Sequence, residues 1–269
     1  MTYLLLVLSI CATAFCVIYF THMFQLSGYH KDAHIKWFYN NLGSICARYS
    51  FTFLALLVCL FNNVFSLVVA SVLFVLTIIT FLPRQAKKPL VYTSRIKRLL
   101  LTVGLIYAAV YVVNFIFFNN TLTVFPLCVI FSNFAVLCAD ILNSPLEKAV
   151  KKKFINEAKN ILSDRKNLKV IGITGSYGKT STKYFLTKIL NAKFNVLMTP
   201  QSYNTPMGVV KTVREMLKPS HEIFVCEMGA KYKGDIKELC DIVKPDMGII
   251  TSVGPQHLES FKSIENVCV

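Results

Sequence analysis

"VIGITGSYGKTSTKYFL", residues 170–186, runs from an unbroken apolar segment through two glycines into a segment of helical character. That order, strand then glycine loop then helix, builds an anion site: Gly175 and Gly178 let the backbone bend so that its N–H groups face a polyphosphate at the helix amino terminus. Lys179 supplies a point charge for the outer phosphates, and the Thr180 hydroxyl is a ligand for Mg²⁺. Thr174, Gly175, Ser176, Tyr177, Gly178, Lys179, Thr180 and Ser181 therefore form a candidate ATP-binding loop. The spacing G-x-x-x-x-G-K-[ST] is not met, because position 173 is Ile; the loop is the tighter T-G-S-Y-G-K-T-S. A glycine turn of purely structural purpose is the competing reading, and a G-K-T-S run directly after a buried strand weighs against it.

Outward from this loop the pattern alternates. Apolar strands are expected at 168–174, 195–200, 222–229 and 247–254, and helices at 178–191, 207–217 and 235–243, with another after His257. Continuous apolar strands separated by helices indicate a parallel sheet covered on both faces. Ligands of such sheets sit at the carboxyl ends of the strands. Glu227 closes the third of these strands, where an unpaired acid would be costly to bury.

The first half of the chain has a different character. Of 269 residues 54% are hydrophobic, with 21 Phe and a mean hydropathy of +0.53. The apolar residues concentrate in five stretches of about bilayer length, at 3–20, 45–61, 64–82, 99–118 and 122–142. The first has no basic flank and continues unbroken past Ala12 and Ala14, and Ile10 is too bulky for a lipoprotein site at Cys11, so it reads as a retained anchor. Residues 84–98 carry six positive charges and no acid, whereas the connections near Asn62 and Asn119 carry none. The positive-inside rule then puts 84–98 in the cytoplasm, the amino terminus outside, and everything after residue 142 in the cytoplasm, at the plasma membrane of the cell. Arg48 and Asp140 fall near the cytoplasmic ends of their spans. No broken half-helices are expected, and Asn114, Asn133 and Pro126 read most plainly as helix-packing features.

Residues 143–167 form a basic helix with Leu146, Val150, Phe154, Ala158 and Ile161 at helical spacing and lysines at 148 and 151–153. Two readings stay open, a helix lying on anionic headgroups and a plain connecting helix. The net charge of +15 is uneven: residues 1–142 hold nine Lys/Arg and two acids, and residues 143–269 hold twenty and twelve. With no basic stripe interleaved with exposed aromatics, nucleic acid is not an expected partner. Nine cysteines, six of them in or beside apolar segments and none in a CxxC pair, read as small buried hydrophobes in a reducing compartment.

Four motifs in order carry a family resemblance. "GITGSYGKTSTK" is similar to the ATP loop of the Mur ligases, which join an amino acid or peptide to a carboxylate in peptidoglycan synthesis. "SYNTPMGVVKTV" (202–213) resembles the family's N-x-x-x-G segment. "VCEMGAKYKGDI" (225–236) and "IITSVGPQHLESF" (249–261) resemble the branch that adds D-alanyl-D-alanine to a UDP-N-acetylmuramoyl tripeptide. The resemblance covers residues 168–269 and implies a magnesium- and ATP-dependent amide ligase working through an acyl phosphate. It implies that Lys179 and Thr180 hold phosphate and a first Mg²⁺, Glu227 holds metal, His257 serves a second metal near the acyl phosphate, and Asn204 lines the nucleotide or substrate side. Lys179 and His257 are then the candidate catalytic residues.

Three departures stand out. Ser252 replaces the family's Asn, the run 254–256 differs, and no domain for the UDP-sugar precedes Leu168. The chain also stops at Val269, short of the family's modified lysine, so a longer protein is implied, with the stretch shown inactive by itself. The fold class expected is thus about five membrane-spanning helices followed by part of a parallel α/β phosphate-loop domain. The expected partners are the bilayer, a cell-wall precursor that is either nucleotide- or lipid-linked, and an amino acid or dipeptide amine. The alternatives are a poly-γ-glutamate synthase-like ligase and a nucleotide-binding membrane scaffold without catalysis.

Overall fold

The computed structural model describes residues 2–61, 63–82, 88–117, 122–201 and 203–254. The chain divides into two compact units, residues 1–147 and 148–269.

The first unit is all helical: α1 (Thr2–Leu26), α2 (Lys31–Asn40), α3 (Leu42–Val58, extended by a 3₁₀ turn Cys59–Phe61), α4 (Val64–Phe81), α5 (Ser94–Phe117), α6 (Val124–Ile130) and the start of α7 (Ser132–Ser163). Phe20, Phe24, Phe74, Phe81 and Phe125 are buried at its centre. Outward positions such as Leu57, Val72, Ile79, Leu101 and Leu105 are exposed and apolar, the reverse of a water-soluble surface. The buried Thr52 and Thr77 hydroxyls pair at 3.0 Å between α3 and α4. Asn63 and Ser66 close a capping box that starts α4.

Among the described residues, four helices are long and apolar enough to cross a membrane. The fifth expected span is broken, against the expectation of no half-helices: α6 and α7 meet at an angle of 66°. The break has a local cause. Pro126 lies in the first turn of α6, where its missing N–H is tolerated. Ser132 then turns its hydroxyl back onto the Val129 carbonyl, and the buried His34 of α2 donates through Nε2 to Asn133 Oδ1 at 2.8 Å. The first helix also continues six residues beyond the expected boundary at residue 20, to Leu26.

The second unit is a four-stranded parallel sheet in the order β2 (Val196–Met198), β3 (Ile223–Glu227), β1 (Lys169–Thr174) and β4 (Met247–Ile250). Alternating side chains of β1 and β3 divide between two faces. Ile171, Ile173 and Val225 pack under Leu186 and Leu190 of α8 (Lys179–Leu190). Val170, Phe224 and Cys226 pack under α9 (Pro206–Met216), α10 (Asp235–Val243) and the end of α7. Thr205 caps α9 through its hydroxyl, with Pro206 in the first turn.

The end of α7 decides between the two readings of the basic helix. Phe154, Ala158 and Ile161 are packed into the sheet's core, so this apolar face is covered by protein and not by headgroups. Lys151 pairs with Glu238 at 2.8 Å, and Arg214 reaches Glu157 at 2.8 Å while stacking over Phe154 at 4.1 Å. The expected separation of span and linker helix also gives way to a single α7 that runs through Pro145.

The eight described cysteines are free. Burial pushes the Cys226 thiol far above its ordinary range, which keeps it an inert, protonated hydrophobe. At the foot of the sheet Asp246 accepts from the Val170 N–H at 2.8 Å and from Lys169 at 3.2 Å, contacts that hold its carboxyl below the usual carboxylate range.

Candidate functional site

Register places the site. Ile173 of β1 lies opposite Glu227 of β3, so the loop leaving β1 emerges beside the last side chain of β3. The loop is residues 174–178, and its shape needs glycine. Gly175 has φ +137°, and a Cβ there would come within 2.3 Å of Thr251 Oγ1 and 2.9 Å of the Ser252 nitrogen. Gly178, at φ +82°, turns the chain into α8.

The segment after β4 holds the loop from behind. Ser176 N–H donates to the Ser252 carbonyl at 2.8 Å, and Tyr177 N–H donates to Ser252 Oγ at 2.9 Å. Thr251 Oγ1 donates to the Tyr177 carbonyl at 2.6 Å, and the Ser176 hydroxyl donates to the Gly254 carbonyl at 2.9 Å. Ser252, the departure from the family's Asn, is therefore part of the clamp. Lys179 folds over its own loop, with Nζ donating to the Gly175 carbonyl and, at 3.2 Å, to that of Ser176. Ser181 lies exposed in the first turn of α8, and Thr174 closes β1.

Glu227 is the hub. It is 1% exposed, and three side chains converge on its carboxylate. Thr180 Oγ1 lies 3.1 Å from both oxygens, Asn204 Nδ2 donates at 3.2 Å, and Lys183 Nζ stands 2.9 Å away with no exposure of its own. The Glu227 N–H is fixed by Thr199 Oγ1 at 3.0 Å. Asn204 gets this close because residue 229 is glycine: a Cβ there would sit 2.7 Å from Asn204 Cγ. Lys183 also donates to the carbonyl of Gln201, whose φ of +46° is one of three positive values at non-glycine residues among the described residues.

The structure thus brings Thr180, Asn204 and Glu227 together at the end of the glycine loop that carries Lys179. His257 lies outside the described residues. Lys183 and Thr199 were missed by sequence reasoning. A signal for Lys183 exists: it follows Lys179 by four and Thr180 by three, so it shares their helix face.

This donor set fits a hard divalent cation. The Thr180 hydroxyl and the Glu227 carboxylate are oxygen donors, and Mg²⁺ takes one or two such groups and completes its shell with water and phosphate oxygens. Among the described residues there is no group of three or more His, Cys, Asp or Glu of the kind that holds zinc.

The chain is similar to known proteins over part of its length. Residues 173–269 match the family model of the Mur ligase middle domain. The UDP-N-acetylmuramoyl-tripeptide--D-alanyl-D-alanine ligase of Synechocystis is 43% identical over 94 residues, 35% of this chain and 20% of that protein. The Bacillus subtilis ligase of the same name is 37% identical over 99 residues, 37% of this chain and 21% of its own length. A solved structure, the MurF ligase from Thermotoga maritima in complex with ADP, aligns with a TM-score of 0.42 at 36% identity, over 44% of this chain and 27% of that one. The chain spans about a fifth of the length of the curated relatives it matches.

The buried pair gives a direct test. Removing one member of a buried ion pair leaves an uncompensated charge and costs about 3–5 kcal/mol, whereas removing both is far milder. Lys183→Met should lower the opening free energy of the β3 amides by about that amount, read by native-state hydrogen exchange. Adding Glu227→Gln should restore at least half of it. A Lys183→Met chain within about 1 kcal/mol of the parent would show that the pair does not hold the site together.

Proposed function

We propose that residues 168–269 are the nucleotide-binding part of a membrane-anchored, ATP- and Mg²⁺-dependent carboxylate–amine ligase. The reading extends to a carboxylate on a peptidoglycan precursor and, as amine, D-alanyl-D-alanine, the two substrates in the matched relatives' names. The observation that carries it is the convergence of Thr180, Lys183 and Asn204 on buried Glu227 beside the glycine loop.

In this reading each residue has a task that follows from its position. Lys179, now turned onto its own loop carbonyls, swings to the outer phosphates, and its ammonium neutralises charge that grows there. Thr180 and Glu227 hold the metal, with the Glu227 carboxylate kept in place by Lys183. Asn204 fixes the second face of that carboxylate. Bound MgATP supplies the phosphoryl group that activates the carboxylate for attack by the amine. His257 is assigned to a second metal on the resemblance alone.

The membrane part of the reading is supported by the four long apolar helices, by the outward apolar faces and by the charge distribution. Counting the bent α6–α7 pair as one crossing gives five, with the amino terminus outside and the ligase segment in the cytoplasm. A tethered enzyme samples the bilayer surface at high effective concentration, which favours a lipid-linked form of the precursor over a soluble nucleotide-linked one.

Two experiments test this. In the complete gene product reconstituted in nanodiscs, Lys179→Ala should reduce ATP-dependent ligation of radiolabelled D-alanyl-D-alanine by about 10²–10³-fold, with membrane insertion unchanged. Near-parental turnover would refute the phosphate-loop assignment. Offering nucleotide-linked and lipid-linked acceptors in the same assay separates the two substrate forms, and ligation to the nucleotide form alone would remove the lipid-carrier clause. For topology, single cysteines at positions 91 and 120 in a cysteine-depleted chain should differ in intact cells. A membrane-impermeant maleimide should label position 120 and spare position 91, and the opposite pattern would overturn the orientation.

A further inference from the structure

Asn114 lies near the carboxyl end of α5 and is 2% exposed, yet neither Oδ1 nor Nδ2 has a hydrogen-bond partner among the described residues. Buried amides in native proteins are nearly always paired, and an unpaired one is more costly than the apolar side chain that would replace it. What surrounds it points to the missing partner. Asn114 lines a cavity of about 430 Å³ between α1, α5 and α6, within the size range of small-molecule sites. The rest of the wall is apolar or aromatic, including Leu6, Tyr111, Phe115 and Phe125. The one other polar group of this wall with a fixed bond is already engaged: Tyr111 OH meets Ser9 Oγ at 3.1 Å. The wall therefore offers a long hydrocarbon surface with one unpaired amide buried beneath it.

Depth narrows the chemistry. Asn114 stands three residues before the end of α5 at Phe117, or roughly 4.5 Å along the axis. Tyr3, from the first turn of α1, lines the same cavity. In helices that cross a bilayer, this is the level where hydrocarbon gives way to carbonyl and headgroup, and where tyrosine rings gather.

We propose that this cavity is a binding site for a membrane glycerolipid. Its acyl chain lies along Leu6, Phe115 and Phe125, and on its entry the buried Asn114 side chain turns toward the cavity, so that Nδ2 donates to an ester carbonyl. A headgroup donor a few bonds away reaches Oδ1. The site is at the end of the helices that faces outward in the topology above, so the proposal rests on the membrane-spanning part of that reading and is independent of the ligase part.

The test uses this chain in nanodiscs containing phosphatidylglycerol with a photoactivatable diazirine in its acyl chain. Cross-links mapped by mass spectrometry should concentrate on peptides carrying residues 3–6, 111–116 and 125, and be sparse at the outward Val68 and Val72 of α4. Asn114→Leu should cut that labelling about five- to tenfold, the effect of one lost hydrogen bond in an apolar site, while raising the thermal midpoint in lipid-free detergent. Leu6→Trp, which fills the cavity, should cut it further. Should Leu6→Trp fail to fold, Asn114→Leu decides alone, because it removes an unpaired polar group and adds no bulk. Labelling spread evenly over all outward faces and unchanged by Asn114→Leu would overturn the site. A chain that alkaline carbonate strips from membranes would overturn the spanning reading and the site with it, leaving the ligase reading intact.

Discussion

The carboxylate of Glu227 constrains everything around it. A buried carboxylate is tolerated only when its charge and its lone pairs are met, and here an ammonium and a hydroxyl from one helix and an amide from a separate segment meet them. Lys183 and Thr180 come from α8, so the helix that follows the glycine loop is locked to β3 as well as to β1. Asn204 comes from the segment before α9, and its approach demands glycine at 229. The result is a preorganised cluster: the Thr180 hydroxyl and the Glu227 oxygens are held in mutual contact. Such fixed oxygen donors, beside backbone N–H groups at a helix amino terminus, are what a phosphate-bound divalent cation requires.

Charge is managed in the helical unit by a related device. Asp140 is nearly buried and lies between Arg95 at 3.2 Å and Lys31 at 3.6 Å. Arg98 grips Glu147 at 2.7 Å, and Arg48 donates to the Thr80 carbonyl at 2.8 Å near the end of α4, where the helix dipole favours a cation. Arg48 also stacks on Tyr19 at 4.8 Å. Asp140, Glu147, Arg48, Arg95 and Arg98 thus each have a partner. Asn114 is the contrast that makes its cavity informative.

Much of this was legible in the sequence, for physical reasons that differ by element. The strands of the sheet were readable because parallel strands buried on both faces are continuous apolar runs, and the glycine loop because glycine takes the positive φ at 175 and 178 without strain. Glu227 stood out as an acid ending such a run. Lys183 did not, since a lysine in a helix ordinarily reads as solvated and its burial depends on where β3 ends. The 66° break at α6–α7 was invisible because composition records apolarity and not direction. The partner of the apolar face of residues 150–161 was equally hidden: periodicity shows that a face exists, and only packing shows that the sheet, not the bilayer, covers it. The helix runs on past the boundary expected near residue 142 because α7 accommodates Pro145, while the two units of the chain divide close by, after residue 147.

The decisive property of this cluster is that it binds nucleotide through a metal. Isothermal titration of the chain with a non-hydrolysable ATP analogue, across a series of Mg²⁺ concentrations, measures that property without requiring turnover. Binding should strengthen steeply with Mg²⁺ in the parent chain, and Glu227→Gln should flatten that dependence while leaving weak, metal-independent binding through Lys179 and the loop. An unchanged Mg²⁺ dependence in Glu227→Gln, or no nucleotide binding by the parent at any Mg²⁺ concentration, would contradict the assignment.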